Sequence, residues 1–283
     1  MEVLIAEHAG FCEGVKSAYR IALEQTEASR PVFMLGNLVH NTQVIEKFKN
    51  LRVKTVKSLS EIPKNTGGIL LISAHGVSPE IYQEAEKLGL EIVDTTCSWV
   101  RKAQRITKEL TEEGRLVIIV GDKGHPEVKG LVGWSGGKAK VVEDIKDIEE
   151  IKGELGGEAK VGILAQTTQA EEHFRKIVSE LRKRVADVKD FNTICGSTSR
   201  RQQAAVKLAG KVDLMLVIGD KMSANTRRLT ELCTKTGTET HQIQTVKELE
   251  SSWLTDKKKI GITAGASTPD WIIKEVVENL KKI

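Results

Sequence analysis

One arrangement of apolar run, cysteine and glycine occurs three times in the sequence, and this repeat constrains the fold more than any other feature. Each of three cysteines follows a short apolar run, and a second apolar run ends in glycine 24 residues further on. The three pairs are Cys12 and Gly36, Cys97 and Gly121, and Cys195 and Gly219. A fixed frame of this kind predicts three similar units that bring three thiols to one site.

The apolar runs alternate with helical patterns, which is typical of parallel sheets with crossover helices. Continuous apolar runs predict strands buried on both faces at 32–35, 69–72, 116–120, 161–164, 214–218 and 260–263. The runs before the cysteines predict strands at 3–6, 92–93 and 188–191, and helices are expected at 15–24, 78–88, 99–110, 171–181 and 200–208. We therefore predict an α/β fold of three pseudo-threefold-related units. Their ranges are 1–90 with the N-terminal strand, 91–186, and 187–283 with a C-terminal helix.

Composition excludes several classes of protein. The 283 residues are 40% hydrophobic with a net charge of +4, which favours a globular core and gives no reason to expect a nucleic-acid surface. No apolar run approaches the roughly 18 residues that span a membrane, and the N-terminus lacks the features of a signal peptide. The four cysteines lack the dense spacing of a secreted disulfide framework. We expect a soluble cytoplasmic protein that binds neither membranes nor nucleic acid.

Polar residues recur in the same frame beyond each glycine. Four positions after the glycines stand His40, His125 and Ser223, and two positions further on stand Thr42, Glu127 and Asn225. The loops later in each unit contribute His75, Thr167 and Ser267. In open parallel sheets, ligands bind beyond the carboxyl ends of the strands, where all these residues are expected. Imidazoles, hydroxyls and amides near helix N-termini predict an anion pocket. Glu127 is the one carboxylate in the frame, which makes it the candidate proton donor.

Three thiols at one site could bind a metal or cluster, form a disulfide or pack in the core. Structural zinc sites usually draw on closely spaced cysteine pairs, which are absent here, and a disulfide would leave one thiol over. Three separate core cysteines would not explain their common frame. A [4Fe–4S] cluster is favoured, because iron prefers thiolate and three ligands leave one of its irons open. Cys233 lies outside the repeat among leucines at helical spacing, so we predict that it packs in the core.

The order of the short motifs resembles that of the 4-hydroxy-3-methylbut-2-enyl diphosphate reductase family, also called IspH or LytB. The motifs in this sequence are Phe11-Cys12-Glu13-Gly14-Val15, Val39-His40-Asn41, Ser73-Ala74-His75-Gly76-Val77, Thr96-Cys97, His125-Pro126-Glu127-Val128, Gln166-Thr167-Thr168, Ser223-Ala224-Asn225 and Thr263-Ala264-Gly265-Ala266-Ser267. The resemblance covers essentially the whole chain. It implies a trefoil-like monomer of three α/β units around a central, oxygen-sensitive [4Fe–4S] cluster.

The resemblance also implies a reaction and a role for each site residue. Two electrons and two protons would remove the 4-hydroxyl of the substrate as water, giving isopentenyl and dimethylallyl diphosphates at the last step of the non-mevalonate isoprenoid pathway. A ferredoxin or flavodoxin would supply the electrons. The cluster would be held by Cys12, Cys97 and Cys195, and the diphosphate by His40, His75, Ser223, Asn225 and Ser267, with His125 beside it. Glu127 would deliver protons, and Thr167 would help to position the hydroxyl or a water.

Three positions depart from the family's usual pattern. Ser98 stands where proline is usual, Thr95 where alanine is common, and Ala224 where a second serine is frequent. The last change removes one side-chain hydroxyl from the expected diphosphate pocket. Two other functions remain open, a non-catalytic iron–sulfur electron carrier or redox sensor, and a zinc-dependent hydrolase that uses the same thiols and histidines.

Overall fold

The structure is a computed structural model that describes residues 1–156 and 158–282. Its strands are β1 (Glu2–Ile5), β2 (Val32–Leu35), β3 (Lys54–Val56), β4 (Ile69–Ile72), β5 (Glu91–Asp94), β6 (Leu116–Val120), β7 (Lys140–Val142), β8 (Lys160–Ala165), β9 (Asp187–Phe191), β10 (Leu214–Ile218), β11 (Glu239–Ile243) and β12 (Lys259–Ala264). Its α-helices are α1 (Glu13–Gln25), α2 (Thr42–Asn50), α3 (Pro79–Lys87), α4 (Ser98–Glu112), α5 (Pro126–Trp134), α6 (Asp147–Glu150), α7 (Glu171–Arg182), α8 (Gly196–Ala209), α9 (Ala224–Thr234) and α10 (Asp270–Leu280).

The strands form three four-stranded sheets in which every neighbouring pair is parallel. The strand orders are β3-β2-β4-β5, β7-β6-β8-β9 and β11-β10-β12-β1, so the same order occurs three times. The α/β class and the three parallel-sheet units predicted from the sequence are therefore confirmed. The two central strands of each sheet coincide with the apolar runs, because strands covered on both faces carry few polar side chains.

The described chain divides into two compact units. The first contains Met1–Lys16, Val39–Glu46 and the described residues from Gly196 onward, and it holds the sheet of β1, β10, β11 and β12. Apolar side chains of α10 cover one face of that sheet, and those of α8 and α9 cover the other. The second unit contains Ser17–Leu38 and Lys47–Cys195, and it holds the other two sheets. In it, α4 and α5 cover one face of the β7-β6-β8-β9 sheet, and α7 covers the other.

Each strand that precedes a cysteine is an edge strand beside the second central strand of a sheet. The other three strands of that sheet belong to a different one of the three predicted ranges. β1 pairs with β12, β5 with β4 and β9 with β8. The N-terminal strand thus joins the sheet of the C-terminal residues, and sheet membership is offset by one strand from each predicted range. The ranges 1–90, 91–186 and 187–283 stay a prediction about domains.

The glycine of each repeat closes the first central strand of its sheet in the same way. The amides of Gly36, Gly121 and Gly219 donate to the last residues of the neighbouring edge strands, at N···O distances of 2.8, 3.1 and 2.8 Å. The acceptors are the carbonyl oxygens of Val56, Val142 and Ile243. The glycine spacing in the sequence therefore marks equivalent strand ends.

Among the described helices, none combines the length and apolar character required to cross a bilayer.

Candidate active site

The three cysteines of the repeat lie in equivalent places. Each follows the edge strand beside a sheet's second central strand and immediately precedes a helix, namely α1, α4 or α8. The amides of Cys12, Cys97 and Cys195 donate to carbonyl oxygens two residues beyond the ends of β12, β4 and β8. These acceptors belong to Ala266, Ala74 and Thr167, at 3.3, 3.1 and 2.9 Å. The sequence repeat therefore corresponds to a repeated backbone geometry at the carboxyl ends of the sheets.

All four cysteines of the chain are thiols, and their burial separates them into two kinds. Cys12, Cys97 and Cys195 are half-buried, whereas Cys233 is fully buried on α9 against Ala205 and other apolar side chains. Burial raises the pKa of the Cys233 thiol to about 11. A thiol with this pKa stays protonated at neutral pH, which suits core packing rather than metal binding. The prediction for Cys233 is confirmed.

Glu127 and Thr167 form a buried pair in the second unit. Glu127 is the second residue of α5, and both of its carboxyl oxygens accept hydrogen bonds from Thr167. The backbone amide of Thr167 lies 2.7 Å from Oε1, and its hydroxyl lies 2.8 Å from Oε2. Burial raises the pKa of Glu127 to about 7, although the two hydrogen bonds lower it and the charge of Asp122 raises it slightly. The group can therefore give or take a proton near neutral pH.

The start of α5 positions Glu127. His125 is the N-cap of the helix, and its Nδ1 accepts from the amide of Glu127 at 3.2 Å. The ring of His125 meets that of His75 edge to face, with 5.3 Å between the centroids. Nδ1 of His75 lies 3.4 Å from the hydroxyl of Ser73, which follows β4. The second unit therefore brings together the loops after β4 and β6, which hold different positions of the repeat and both carry a predicted site histidine.

In the first unit, three polar residues of the predicted anion pocket are buried near one another. Ser223 is the N-cap of α9, and its hydroxyl lies 3.4 Å from that of Ser267. The Ser267 hydroxyl also donates to the carbonyl oxygen of His40 at 3.0 Å. Asn225, in the first turn of α9, is only 3% exposed, and neither atom of its side-chain amide has a hydrogen-bond partner within the described part of the chain. A buried amide without partners is costly, which indicates a place for a polar ligand.

Asp220 supports this pocket, and the sequence reasoning missed it. It accepts from the amide of Thr42 at 3.0 Å and from the amide of Met222 at 2.8 Å, so it joins the starts of α2 and α9. Burial lowers the pKa of His40, which Asp220 opposes and Arg227 reinforces. At neutral pH the His40 ring is therefore uncharged. The position of Asp220 directly after the repeat glycine Gly219, like that of Asp122 after Gly121, is the signal that would have found it.

Asp94 plays a comparable supporting part before Cys97. Its carboxylate accepts from the amide of Thr96 at 2.8 Å and from the hydroxyl of Tyr82 at 2.7 Å, and it pairs with Arg101 at 3.0 Å. Burial, followed by the hydrogen bond and the charge of Asp94, raises the pKa of Tyr82 to about 12. This network fixes the strand end from which the Cys97 loop leaves.

The predicted site residues are divided between the two units. Those in the first unit are Cys12, His40, Ser223, Asn225 and Ser267. Those in the second are His75, Cys97, His125, Glu127, Thr167 and Cys195. Within each unit they lie between the carboxyl end of a strand and the first turn of the helix that follows it. The assignment of individual roles to these residues stays a prediction.

Comparison with known proteins shows what the chain is similar to. Residues 3–281 match the family described as LytB protein. The 4-hydroxy-3-methylbut-2-enyl diphosphate reductases of Geobacter metallireducens and Aquifex aeolicus are each 43% identical to it, and the matches cover all of this chain and 98% and 97% of the relatives.

Solved structures give the same result. The E-1-hydroxy-2-methyl-but-2-enyl-4-diphosphate reductase of Plasmodium falciparum is 28% identical with a TM-score of 0.93, over 99% of this chain and 88% of that one. A structure of (E)-4-hydroxy-3-methyl-but-2-enyl diphosphate reductase is 43% identical with a TM-score of 0.72, over the full length of both chains. The family resemblance expected from the motifs is confirmed: the chain belongs to the LytB family, whose named relatives are reductases.

Proposed function

We propose that this protein reduces 4-hydroxy-3-methylbut-2-enyl diphosphate to isopentenyl and dimethylallyl diphosphates, the last step of the non-mevalonate isoprenoid pathway. Two electrons and two protons are consumed, the bond between carbon and the 4-hydroxyl breaks, and the hydroxyl leaves as water. The observation that carries this proposal is 43% identity over the whole chain to proteins named as this reductase. The buried carboxyl group of Glu127, with a pKa near 7, supports it independently.

The cysteines suit an iron–sulfur cluster. Cys12, Cys97 and Cys195 are half-buried thiols held by equivalent backbone hydrogen bonds, and each directly precedes a helix. A helix N-terminus favours negative charge, such as that of a thiolate or of a thiolate-ligated cluster. We infer that these three residues hold a [4Fe–4S] cluster. When bound, such a cluster would supply electrons and one iron with an open coordination position.

Glu127 is the proton donor in this proposal. Because its pKa is about 7, a large fraction of the carboxyl groups carry a proton at neutral pH, and that proton is transferred readily. Thr167 holds the carboxyl group through two hydrogen bonds, so it fixes the direction in which the proton is presented. His125 fixes the first turn of α5 from the other side by accepting from the Glu127 amide.

The diphosphate is bound by the polar groups of the first unit, together with His75 and His125. The Asn225 amide is already dehydrated and has an N–H donor to offer, so a phosphate oxygen would satisfy it without further loss of hydration. The hydroxyls of Ser223 and Ser267 add donors at the N-terminus of α9, where backbone amides also favour an anion. His40 is uncharged at neutral pH and contributes a neutral N–H.

The remaining expectations extend this proposal. The electron donor is a ferredoxin or flavodoxin, and the enzyme acts as a cytoplasmic monomer without nucleic acid or membrane. These inferences rest on the family and on the composition of the sequence. Neither the donor nor the oligomeric state enters the argument for the reaction itself.

Anaerobic oxidation of reduced methyl viologen by the reconstituted iron–sulfur protein tests the function. We expect oxidation that requires 4-hydroxy-3-methylbut-2-enyl diphosphate and yields both product diphosphates. Oxidation that is the same with and without substrate, with iron and sulfide content intact, would instead favour an electron carrier. Zinc in place of iron in the purified protein would favour a hydrolase.

A further inference from the structure

A second concave site lies in the second unit, at the carboxyl end of the β3-β2-β4-β5 sheet. Its cavity is about 390 Å³, within the range of small-molecule sites. The lining follows directly after β2, β3 and β4, and the starts of α3 and α5 complete it. No residue assigned above to the cluster, the diphosphate or the proton lines this cavity. It is therefore a different site from the candidate active site.

The lining of the cavity combines apolar side chains with two lysines. Leu35, Val77 and Ile81 are partly exposed apolar side chains of the lining, and Lys57 and Lys129 are its exposed lysines. Neither lysine forms an ion pair with any residue that the structure describes. Glu84 is the acidic residue among the lining residues, so the two lysines leave an excess of positive charge.

Hydroxyl groups and a glycine belong to the same lining as the lysines. Ser58 and Ser60, one and three residues after Lys57, also line the cavity, and their hydroxyls are 2.6 Å apart. Gly36 has a φ of +68° and no atom within 4 Å of where a Cβ would stand, so the chain leaves space there. Positive charge and hydroxyl donors are the groups that bind phosphate, and the carboxyl end of a parallel sheet is where such ligands bind.

We propose that this cavity binds an organic phosphate or diphosphate with an apolar chain. The chain contacts Leu35, Val77 and Ile81, and Lys57 and Lys129 bind the anion. A ligand there contacts Ser73, whose hydroxyl is 3.4 Å from Nδ1 of His75, and so lies next to the candidate active site.

Calorimetric titration of the full-length protein with geranyl diphosphate tests the proposal, since this probe joins an apolar chain to a diphosphate. We expect saturable binding that weakens at least tenfold in the double variant Lys57→Met, Lys129→Met. It is unchanged in Lys138→Met, which alters an exposed lysine of the same unit outside the cavity. Geraniol alone and inorganic pyrophosphate alone bind much more weakly.

Two results would overturn this site. Binding of equal strength in the double variant would show that the lysines do not recognise the anion. Binding that is lost in Asn225→Ala would place the probe in the diphosphate pocket of the first unit. The titration requires no turnover, so it gives its answer whether or not the proposed reaction is correct.

The loop of Cys12 is held differently from the loops of the other two cysteines, and this difference supports a separate inference. Two residues before Cys97 and Cys195 stand Thr95 and Thr193. Their hydroxyls donate to the carbonyl oxygens at the ends of β4 and β8. The equivalent residue before Cys12 is Gly10, which has no side chain to make this bond. Its φ is +88°, and a Cβ there would lie 2.9 Å from Ile273.

A buried arginine replaces the missing anchor. Arg201, in α8, is 1% exposed, and its guanidinium donates to the carbonyl oxygen of Gly10 at 2.8 Å. A charge-assisted bond of this kind is stronger than one from a neutral hydroxyl. We infer that Arg201 is a positioning residue that fixes the Cys12 loop, as Thr95 and Thr193 fix the loops of Cys97 and Cys195.

Hydrogen–deuterium exchange on cluster-free protein tests this role, with the other two loops as internal controls. In Arg201→Met we expect the amides of Gly10 and Cys12 to exchange at least tenfold faster, and the amides of Cys97 and Cys195 to be unchanged. Arg201→Lys, which keeps one donor, should lie between Arg201→Met and the wild type. Arg200→Met, an exposed neighbour, should have no effect. Equal acceleration in all three loops would indicate general destabilisation, and unchanged exchange at Cys12 would exclude the anchor; either result overturns the inference.

Discussion

The candidate site residues of the two units differ in how far their polar atoms are already satisfied. In the second unit, both oxygens of the buried Glu127 accept hydrogen bonds from Thr167, and His125 accepts from the Glu127 amide. In the first unit, the side-chain amide of Asn225 is equally buried, and the structure gives it no partner among the described residues. One region holds its reactive group in place, and the other keeps donors and acceptors unused.

This difference follows from what each region is proposed to do. A proton donor must point in one direction, so hydrogen bonds that fix it improve its action before any substrate arrives. A binding group that is already dehydrated and unpaired gains most when a ligand satisfies it. An unsatisfied buried group costs the folded protein about 1–3 kcal/mol. The first unit is therefore expected to lose stability through an unpaired buried amide, whereas in the second unit the polar atoms are paired and the loss comes from burying an ionisable carboxyl group.

The largest expected effect is on turnover, through Glu127. Glu127→Gln keeps the size of the side chain and one oxygen that can accept from the Thr167 amide, but its NH2 group can only donate and the acidic proton is removed. We expect kcat to fall by about 10²–10⁴-fold, while the substrate dissociation constant changes little. Methyl viologen oxidation and calorimetric titration of the same preparation measure the two quantities. Glu86→Gln, an exposed glutamate of α3, is the matched control. Near-normal kcat in Glu127→Gln would mean that the proton comes from elsewhere.

The same residue predicts a pH dependence of stability. The pKa of Glu127 is raised from 4.5 to about 7, so between these values the unfolded chain has lost a proton that the folded chain retains. The free energy of unfolding should therefore fall as pH rises across this window, by roughly 3 kcal/mol in total. Below pH 4.5 and above pH 7 this contribution is constant.

Urea unfolding of cluster-free wild type and Glu127→Gln from pH 4 to 8 isolates this contribution as a difference. The difference should change by several kcal/mol across the window and level off on both sides. His40 acts with the opposite sign, because its lowered pKa makes the protein less stable as pH falls below 6.5. It is present in both proteins and cancels. A flat difference curve would show that Glu127 is ionised at an ordinary pKa.

Sequence reasoning predicted most of the central fold, because strands covered on both faces leave a clear apolar run. The predicted strands at 32–35, 116–120 and 214–218 coincide with β2, β6 and β10. The edge strands β3, β7 and β11 were not predicted, since they are short or polar and their pairing comes from the neighbouring strand. The sequence predicts ligand positions near helix N-termini, but it does not indicate that His125 and Ser223 themselves cap α5 and α9.

For the site, the repeat frame found residues that lie at fixed positions after a strand, but not the residues that support them. Arg201 reaches a carbonyl 191 positions away in the chain, and no local pattern signals such a contact. Asp94 looks like an ordinary strand-end acid until its partners Tyr82 and Arg101 are seen. The sequence also does not indicate whether a buried polar group is satisfied. The contrast between Asn225 and Glu127 is visible only in the structure.

The smallest expected effect is a change in the free energy of unfolding when a buried polar group is replaced by an apolar one. It separates the two regions most directly, because its sign is expected to differ between them. Asn225→Leu replaces an unpaired amide by an apolar side chain of similar size. We expect the free energy of unfolding of cluster-free protein to stay the same or to rise by about 1 kcal/mol, with substrate affinity reduced at least tenfold. Thr167→Val also keeps the shape of the side chain, but it removes the hydrogen bond from the Thr167 hydroxyl to Glu127. At pH 8, where the carboxylate is charged, it should destabilise the protein by about 1–3 kcal/mol. The urea unfolding midpoints of the two variants at pH 8 show whether the two changes in stability differ in sign. If Asn225→Leu destabilises the protein as much as Thr167→Val, the Asn225 amide is satisfied in solution, and the first unit is no less satisfied than the second.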